Sequence, residues 1–117
     1  MRYAQSLYHW IRTDDLKHPT FRQRKDFNLK RKYILGPYTV VLLRQSIEGP
    51  NGSKSNIAAF DSSNKMVWVA QKPFEEFEYY DMQVDEDENI ILADSGVGIV
   101  YEISVNDGRI LNSKLIK

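Results

Sequence analysis

The spacing of apolar residues is helical near the start of the chain and strand-like over the rest. Leu7, Trp10 and Ile11 recur at the i, i+3, i+4 spacing that places side chains on one face of a helix. Pro19 would end such a helix, because proline disfavours helical backbone in the residue before it. These positions predict one short N-terminal helix within residues 1–20.

From residue 27 onward, short apolar stretches separated by turn residues predict eight β-strands in two groups of four. The first group comprises NLKRKYIL, YTVVLLRQ, NIAAFD and MVWVAQ, and the second comprises YYDMQVD, NIILAD, IVYEISV and RILNSKLI. Gly36 with Pro37 and the sequence NDG indicate turns, since these residue types suit the backbone angles of tight turns. We therefore expect one mainly β domain over residues 1–117, with β units at residues 27–70 and 79–115.

The two groups also resemble each other in sequence. Phe60 corresponds to Ile103 and Lys65 to Arg109, which is a separation of 43 to 44 residues. The hairpins IAAFDSSNKMVW and GIVYEISVNDGRI resemble the outer hairpins of quinoprotein-type and related β-propeller blades, over residues 38–113. That resemblance implies small antiparallel sheets of four strands. Because a propeller ring needs about four to eight blades, a half-propeller, a sandwich and an open barrel all stay open, and we expect two packed sheets.

Charge is distributed unevenly along the chain, although the net charge is zero. Residues 1–36 carry nine Lys or Arg and three Asp or Glu, whereas residues 74–95 carry nine Asp or Glu and no Lys or Arg. Such asymmetry indicates either a charged partner or pairing between distant parts of the same fold.

The acidic stretch is the candidate binding site. Strand alternation along YYDMQVD predicts that Tyr80, Met82 and Val84 face the core while Tyr79, Asp81, Gln83 and Asp85 face solvent. With the neighbouring acidic and aromatic residues, the predicted partner-binding set is Glu75, Glu76, Phe77, Glu78, Tyr79, Asp81, Gln83, Asp85, Glu86, Asp87 and Glu88. Such a surface would dock a basic protein; the alternatives are a solvated face that prevents edge aggregation and internal pairing with the basic N-terminal segment.

The remaining residues argue against several other kinds of site. The chain contains no Cys, which excludes a disulfide framework, a cysteine zinc site and a thiol nucleophile. Asp85, Asp87 and Asn89 match the opening of a calcium-binding EF-hand loop, but Ile90 stands where that loop needs Gly and Gly96 where it needs Glu. No catalytic motif is present, so we expect no catalytic residue, no metal, no cofactor and no enzyme activity.

The basic segment RQRKDFNLKRK interleaves cations with Phe21 and Phe27, as single-strand nucleic-acid binders do. The acidic stretch works against a nucleic-acid footprint, so we do not expect a nucleic-acid partner. No apolar run reaches the ~18 residues of a membrane span, and the first residues lack the apolar centre of a signal peptide. We expect a soluble cytoplasmic protein with no membrane partner.

In its size, its lack of Cys and its concentrated acidic and aromatic surface, the chain resembles bacterial immunity proteins, in particular those of contact-dependent inhibition. That resemblance implies a toxin-neutralising function, in which carboxylates take the place of nucleic-acid phosphates and occlude a cationic nuclease toxin. The alternative is an oligomeric β scaffold or protein-interaction module with no inhibitory role, whose acidic surface binds the basic edge of a neighbouring copy. The scaffold would self-associate in a salt-sensitive way, whereas the immunity protein would be a monomer or dimer alone and would bind one foreign protein tightly; self-association is therefore possible in either case.

Overall fold

The computed structural model describes residues 28–116, and the predicted N-terminal helix lies outside them. The elements in the described range are eight strands: β1 (Leu29–Leu35), β2 (Tyr38–Glu48), β3 (Lys54–Phe60), β4 (Met66–Val69), β5 (Asp81–Asp85), β6 (Ile90–Asp94), β7 (Ile99–Ser104) and β8 (Ile110–Leu115). They form two antiparallel sheets of four strands, in the orders β1-β2-β3-β4 and β5-β6-β7-β8. The predicted mainly β fold of two four-stranded sheets is confirmed. No helix among the described residues has the length and apolar character needed to cross a bilayer.

The first sheet is apolar on both faces, as the pattern of β2 predicts. Val40 and Leu42 point to one face and Val41 and Leu43 to the other, and all four side chains are buried. The face that carries Val41 holds a cluster of its own, formed by Val41, Leu43, Ile47, Ala58, Phe60, Met66 and Val69. β1 is a charged edge strand whose residues 30–32 are exposed, as its sequence predicts.

The inner faces of the two sheets share one core. Its buried members are Leu35, Val40, Leu42, Ile57, Ala59, Trp68, Ala70, Tyr79, Met82, Ile91, Ala93, Ile103 and Val105. On one side of this core β1 lies against β5, where Arg31 Nε donates a hydrogen bond to Asp81 Oδ1 at 2.6 Å. On the opposite side the Trp68 indole Nε1 donates to the Val105 carbonyl at 3.0 Å. The two sheets are therefore tied together at both margins.

A buried amide fixes the segment that connects the sheets. Asn56 on β3 is 2% exposed, and its Nδ2 donates to the carbonyls of Leu43 at 3.1 Å and Tyr79 at 2.7 Å. Asn56 Oδ1 accepts the Tyr79 backbone N–H at 2.9 Å. The Asn56 side chain thus pairs with Tyr79 as a neighbouring strand would, and β5 begins two residues later.

Candidate functional site

The eleven predicted binding residues lie in three different environments. Two are aromatic residues that pack inward, three are acidic residues of the connecting segment, and six belong to β5 and the turn that follows it. Each environment permits different chemistry.

The prediction that Tyr79 faces solvent is wrong. Tyr79 is 3% exposed, whereas Tyr80, which was predicted to be core, is 63% exposed. Strand alternation fails here because regular pairing begins only at Asp81, and Asn56 holds Tyr79 in the core. The Tyr79 hydroxyl donates to the Gln71 carbonyl at 2.6 Å, and burial raises the pKa of that hydroxyl well above its usual range.

Phe77 packs against the interior and also lines the open cleft beside it. It is partly buried against the shared core. Its ring packs edge-to-face on Tyr79, with centroids 4.8 Å apart, and on Tyr101, with centroids 5.8 Å apart. Phe74, which is exposed, packs on the outside of Phe77 at 5.4 Å. The aromatic residues of this segment therefore mainly fix the connection between the sheets.

The acidic residues of the connecting segment lie among cations. Glu75, Glu76 and Glu78 line an open cleft of about 970 Å³, whose other lining residues include Lys54, Lys72 and Arg109. Glu78 Oε2 is already engaged, since it accepts hydrogen bonds from the backbone N–H and the hydroxyl of Ser46 at 3.1 and 2.9 Å. This part of the acidic stretch consequently presents a mixed charge and not a negative surface.

The outer face of the second sheet is different. Directly paired residues in an antiparallel sheet point to the same side, so the strand register decides which side chains share this face. Asp81 pairs with Asp94, and Gln83 pairs with Leu92, which pairs in turn with Glu102. We use the name outer acidic face for the side chains Asp81, Gln83, Asp85, Ile90, Leu92, Asp94, Val100 and Glu102, all of which are exposed or half-buried.

Three apolar side chains occupy the centre of the outer acidic face. Ile90 and Leu92 come from β6 and Val100 from β7, and each is half-buried. Val100 pairs with Asp94, and Ile90 pairs with Asp85. Carboxylates and other polar side chains, among them Lys114 opposite Val100, therefore surround an apolar centre, which is the arrangement of a protein-binding patch with a polar rim.

The turn between β5 and β6 extends this negative surface. Its residues Glu86, Asp87 and Glu88 are all exposed. Asp85 Oδ1 accepts the Glu88 N–H at 3.1 Å, and Asn89 takes a positive φ of 58°, an angle that asparagine tolerates better than most residues. The acidic turn, meaning residues 86–88, is thus a hairpin turn with a defined internal contact.

Only part of this negative charge is compensated within the described residues. Asp81 pairs with Arg31 at 2.6 Å and Glu102 pairs with Lys114 at 2.9 Å. The hydrogen bond from Arg31 lowers the pKa of Asp81, and the hydrogen bond to Glu102 raises the pKa of Lys114. The other five carboxylates of the outer acidic face and the acidic turn form no ion pair within residues 28–116; they are Asp85, Glu86, Asp87, Glu88 and Asp94.

Internal pairing, one of the alternatives raised by the sequence, accounts for Asp81 within the described residues, and no described cation pairs with the acidic turn; residues 22–25 of the basic segment lie outside the described range. Sequence reasoning missed Asp94, Glu102 and the apolar centre, because it considered one strand at a time. The predicted hairpin around residues 86–88 contained the information needed to find these residues. Counting outward from that turn along both strands places Leu92 opposite Gln83.

Comparison with known proteins adds no relative. No protein-family model matches the chain, and neither a curated protein nor a solved structure shows significant similarity to it. Within residues 28–116, no group of three or more His, Cys, Asp or Glu side chains is placed to hold a metal ion.

Proposed function

We propose that this chain is an immunity protein that binds a basic nuclease toxin through the outer acidic face and the acidic turn, and that it does so in the cytoplasm. The observation that carries the proposal is the composition of this surface. Four carboxylates of a paired sheet and three of the adjoining turn lie around or beside three apolar side chains, and five of the seven have no ion-pair partner among the described residues.

Each component of the surface has a separate physical role in such binding. The unpaired carboxylates would attract a cationic partner and accelerate encounter, and complementary charges would fix its orientation. Ile90, Leu92 and Val100 would supply apolar area that becomes buried at the centre of the contact. Because the strand residues of this surface are fixed by sheet pairing, little backbone freedom remains to be lost there on binding.

A nuclease toxin suits this surface because its nucleic-acid site must carry Lys and Arg for phosphate binding. Carboxylates are planar acceptors that pair with guanidinium groups in a two-point geometry. A surface rich in carboxylates can therefore occupy the cationic site and prevent nucleic acid from entering it. The inhibition would be competitive with nucleic acid and would weaken as salt concentration rises.

The experiment is capture followed by an activity assay. The tagged chain is used to capture proteins from the cytosol of the source cells and from cells that express neighbouring reading frames, with washes at low and high salt. The proposal predicts one stoichiometric basic protein, whose nuclease activity decreases in proportion to added chain.

Two results would contradict this function. If a basic partner is captured but retains full nuclease activity at saturating chain, the chain is an interaction module without an inhibitory role. If the captured protein is acidic, or binding is unaffected by salt, the outer acidic face is not the docking surface.

A further inference from the structure

One sheet edge differs from the others in the described part of the molecule. The two sheets have four edge strands, namely β1, β4, β5 and β8. β1 carries Lys30, Arg31 and Lys32 and lies against β5, so charge and mutual contact protect these two edges. β4 is four residues long and three of its four side chains are buried. β8 is six residues long, and its side chains are exposed except for that of Ile110, which is half-buried. Within residues 28–116, β8 is therefore the one edge strand that is not protected by a run of charged residues, by short length or by a neighbouring strand.

Exposed apolar side chains gather along this same edge. Large apolar side chains are exposed at seven described positions, and four of them belong to β8 or its immediate surroundings: Val97, Leu111, Leu115 and Ile116. Val97 belongs to this set because the next residue, Gly98, accepts the Ile116 backbone N–H at 2.7 Å. An open strand edge flanked by apolar side chains is a surface that normally becomes paired.

The backbone of β8 has free hydrogen-bonding groups on its outer side. Since the Ile116 N–H points towards β7, alternation along the strand directs the backbone groups of Lys114 and Asn112 to β7 as well. The backbone groups of Ser113 and Leu115 therefore point away from the sheet. Neither residue has a hydrogen-bond partner on that side among residues 28–116.

We propose that β8 pairs antiparallel with β8 of a second copy of this chain, so that the two second sheets join into one sheet of eight strands. A second copy is the fitting occupant because its β8 presents the same apolar edge, whose one cation is already paired within its own copy. Its β1 would instead bring three cations against Leu111 and Leu115, and three of the four β4 side chains are buried. The charge of Lys114 does not oppose self-pairing, because Glu102 of the same copy binds it at 2.9 Å.

The pairing is two-fold symmetric and closes at the dimer, because each β8 has a single free edge. With Ser113 opposite Ser113 of the second copy, Leu115 of each copy lies beside Leu111 of the other. Directly opposed side chains share one face, so both outer acidic faces lie on the same side of the joined sheet. The dimer would then present two copies of the proposed docking surface to one side.

The mass of the full chain in solution tests this pairing. Sedimentation or light scattering across a wide concentration range is expected to show a reversible monomer–dimer equilibrium. Leu115→Lys places a charge on the free edge and is expected to raise the dimer dissociation constant about tenfold or more. Ile34→Lys is the matched control, since Ile34 is similarly exposed, at 71% against 78%, on the charged edge β1; it should leave the dimer unchanged.

A second pair of variants tests the register. The described residues include no cysteine and the sequence contains none, so a single introduced thiol reports one contact. Ser113→Cys is expected to form an intermolecular disulfide under mild oxidation, because opposed residues of a hydrogen-bonded pair have Cα atoms ~5.5 Å apart. Ser62→Cys, in the exposed turn between β3 and β4, should stay reduced.

The proposal is overturned if the wild-type chain is monomeric at all concentrations, or if Leu115→Lys and Ile34→Lys dimerise equally. Equal disulfide formation by Ser113→Cys and Ser62→Cys would also contradict it, because random collision would then explain both. A dimer that survives Leu115→Lys would use another surface. The result is independent of toxin binding, since no partner protein is present.

Discussion

Asn56 is the residue through which the fold positions the strand that bears the candidate site, and Asn56→Ala tests that role. The substitution removes three hydrogen bonds: those to the carbonyls of Leu43 and Tyr79 and that from the Tyr79 N–H. All three lie in the interior, because Asn56 is 2% exposed and Tyr79 is 3% exposed. Water therefore cannot readily replace the amide.

The expected magnitude follows from the groups left behind. A buried polar group that loses its partner costs about 1–3 kcal/mol, and Asn56→Ala creates three such groups. Partial relaxation of the connecting segment would offset some of this cost. We expect a loss of roughly 3–5 kcal/mol in the free energy of unfolding, which is a large share of the ~5–15 kcal/mol typical of a domain.

Urea denaturation followed by far-UV circular dichroism measures this loss directly. Asn106→Ala is the matched control, because Asn106 is exposed in the turn between β7 and β8, and we expect it to change stability by less than about 0.5 kcal/mol. If Asn56→Ala costs less than about 1 kcal/mol, the amide does not fix the connecting segment and the reasoning fails.

Two further predictions concern a tight contact and an ion pair. A Cβ at Gly108, where φ is +76°, would lie 2.5 Å from the Trp68 ring, so we expect Gly108→Ala to lower the free energy of unfolding by about 2–5 kcal/mol. Gly52→Ala is the matched control, because φ there is +91° and nothing lies within 4 Å of the added Cβ. We expect it to lower the free energy of unfolding by only about 1–2 kcal/mol. Equal losses in urea denaturation would show that the Trp68 contact is unimportant. Because Arg31 lowers the pKa of Asp81, the Arg31–Asp81 pair stabilises the fold at pH values above the ordinary carboxyl pKa. This stabilisation is lost as the pH falls through the lower pKa that Asp81 has in the folded chain. The stability difference between wild type and Asp81→Asn, which is small because the pair is exposed to solvent, should therefore shrink between pH 7 and pH 3, and a constant difference would contradict the assignment.

The strands could be predicted because their signals are local. The apolar run of β2, the charged pattern of β1 and the turn before β8 each depend on neighbouring residues, and all eight strands occur where these patterns place them. The position of Tyr79 could not be predicted in the same way. It depends on a hydrogen bond to Asn56, which is 23 residues away in sequence, and no periodicity encodes that contact.

The same distinction explains the candidate site. The alternation of Asp81, Gln83 and Asp85 along one strand was predictable, and these residues do share the outer acidic face. The charge environment of Glu75 and Glu76 was only partly predictable, since two of the three cations that line their cleft come from β3 and from the turn before β8. One acidic stretch of the sequence thus contributes to two separate surfaces: the cleft of mixed charge, and the outer acidic face with the acidic turn.

The measurement that tests the central claim most directly compares two variants that remove equal charge from these two surfaces. Glu86→Gln with Asp87→Asn changes the acidic turn, and Glu75→Gln with Glu76→Gln changes the cleft; all four side chains are exposed. Binding of each variant to the captured basic partner is measured at low and high salt. We predict that the first pair weakens binding about tenfold or more and reduces its salt dependence, while the second stays within about twofold of wild type. Equal effects, or a larger effect at the cleft, would show that the outer acidic face and the acidic turn are not the binding surface.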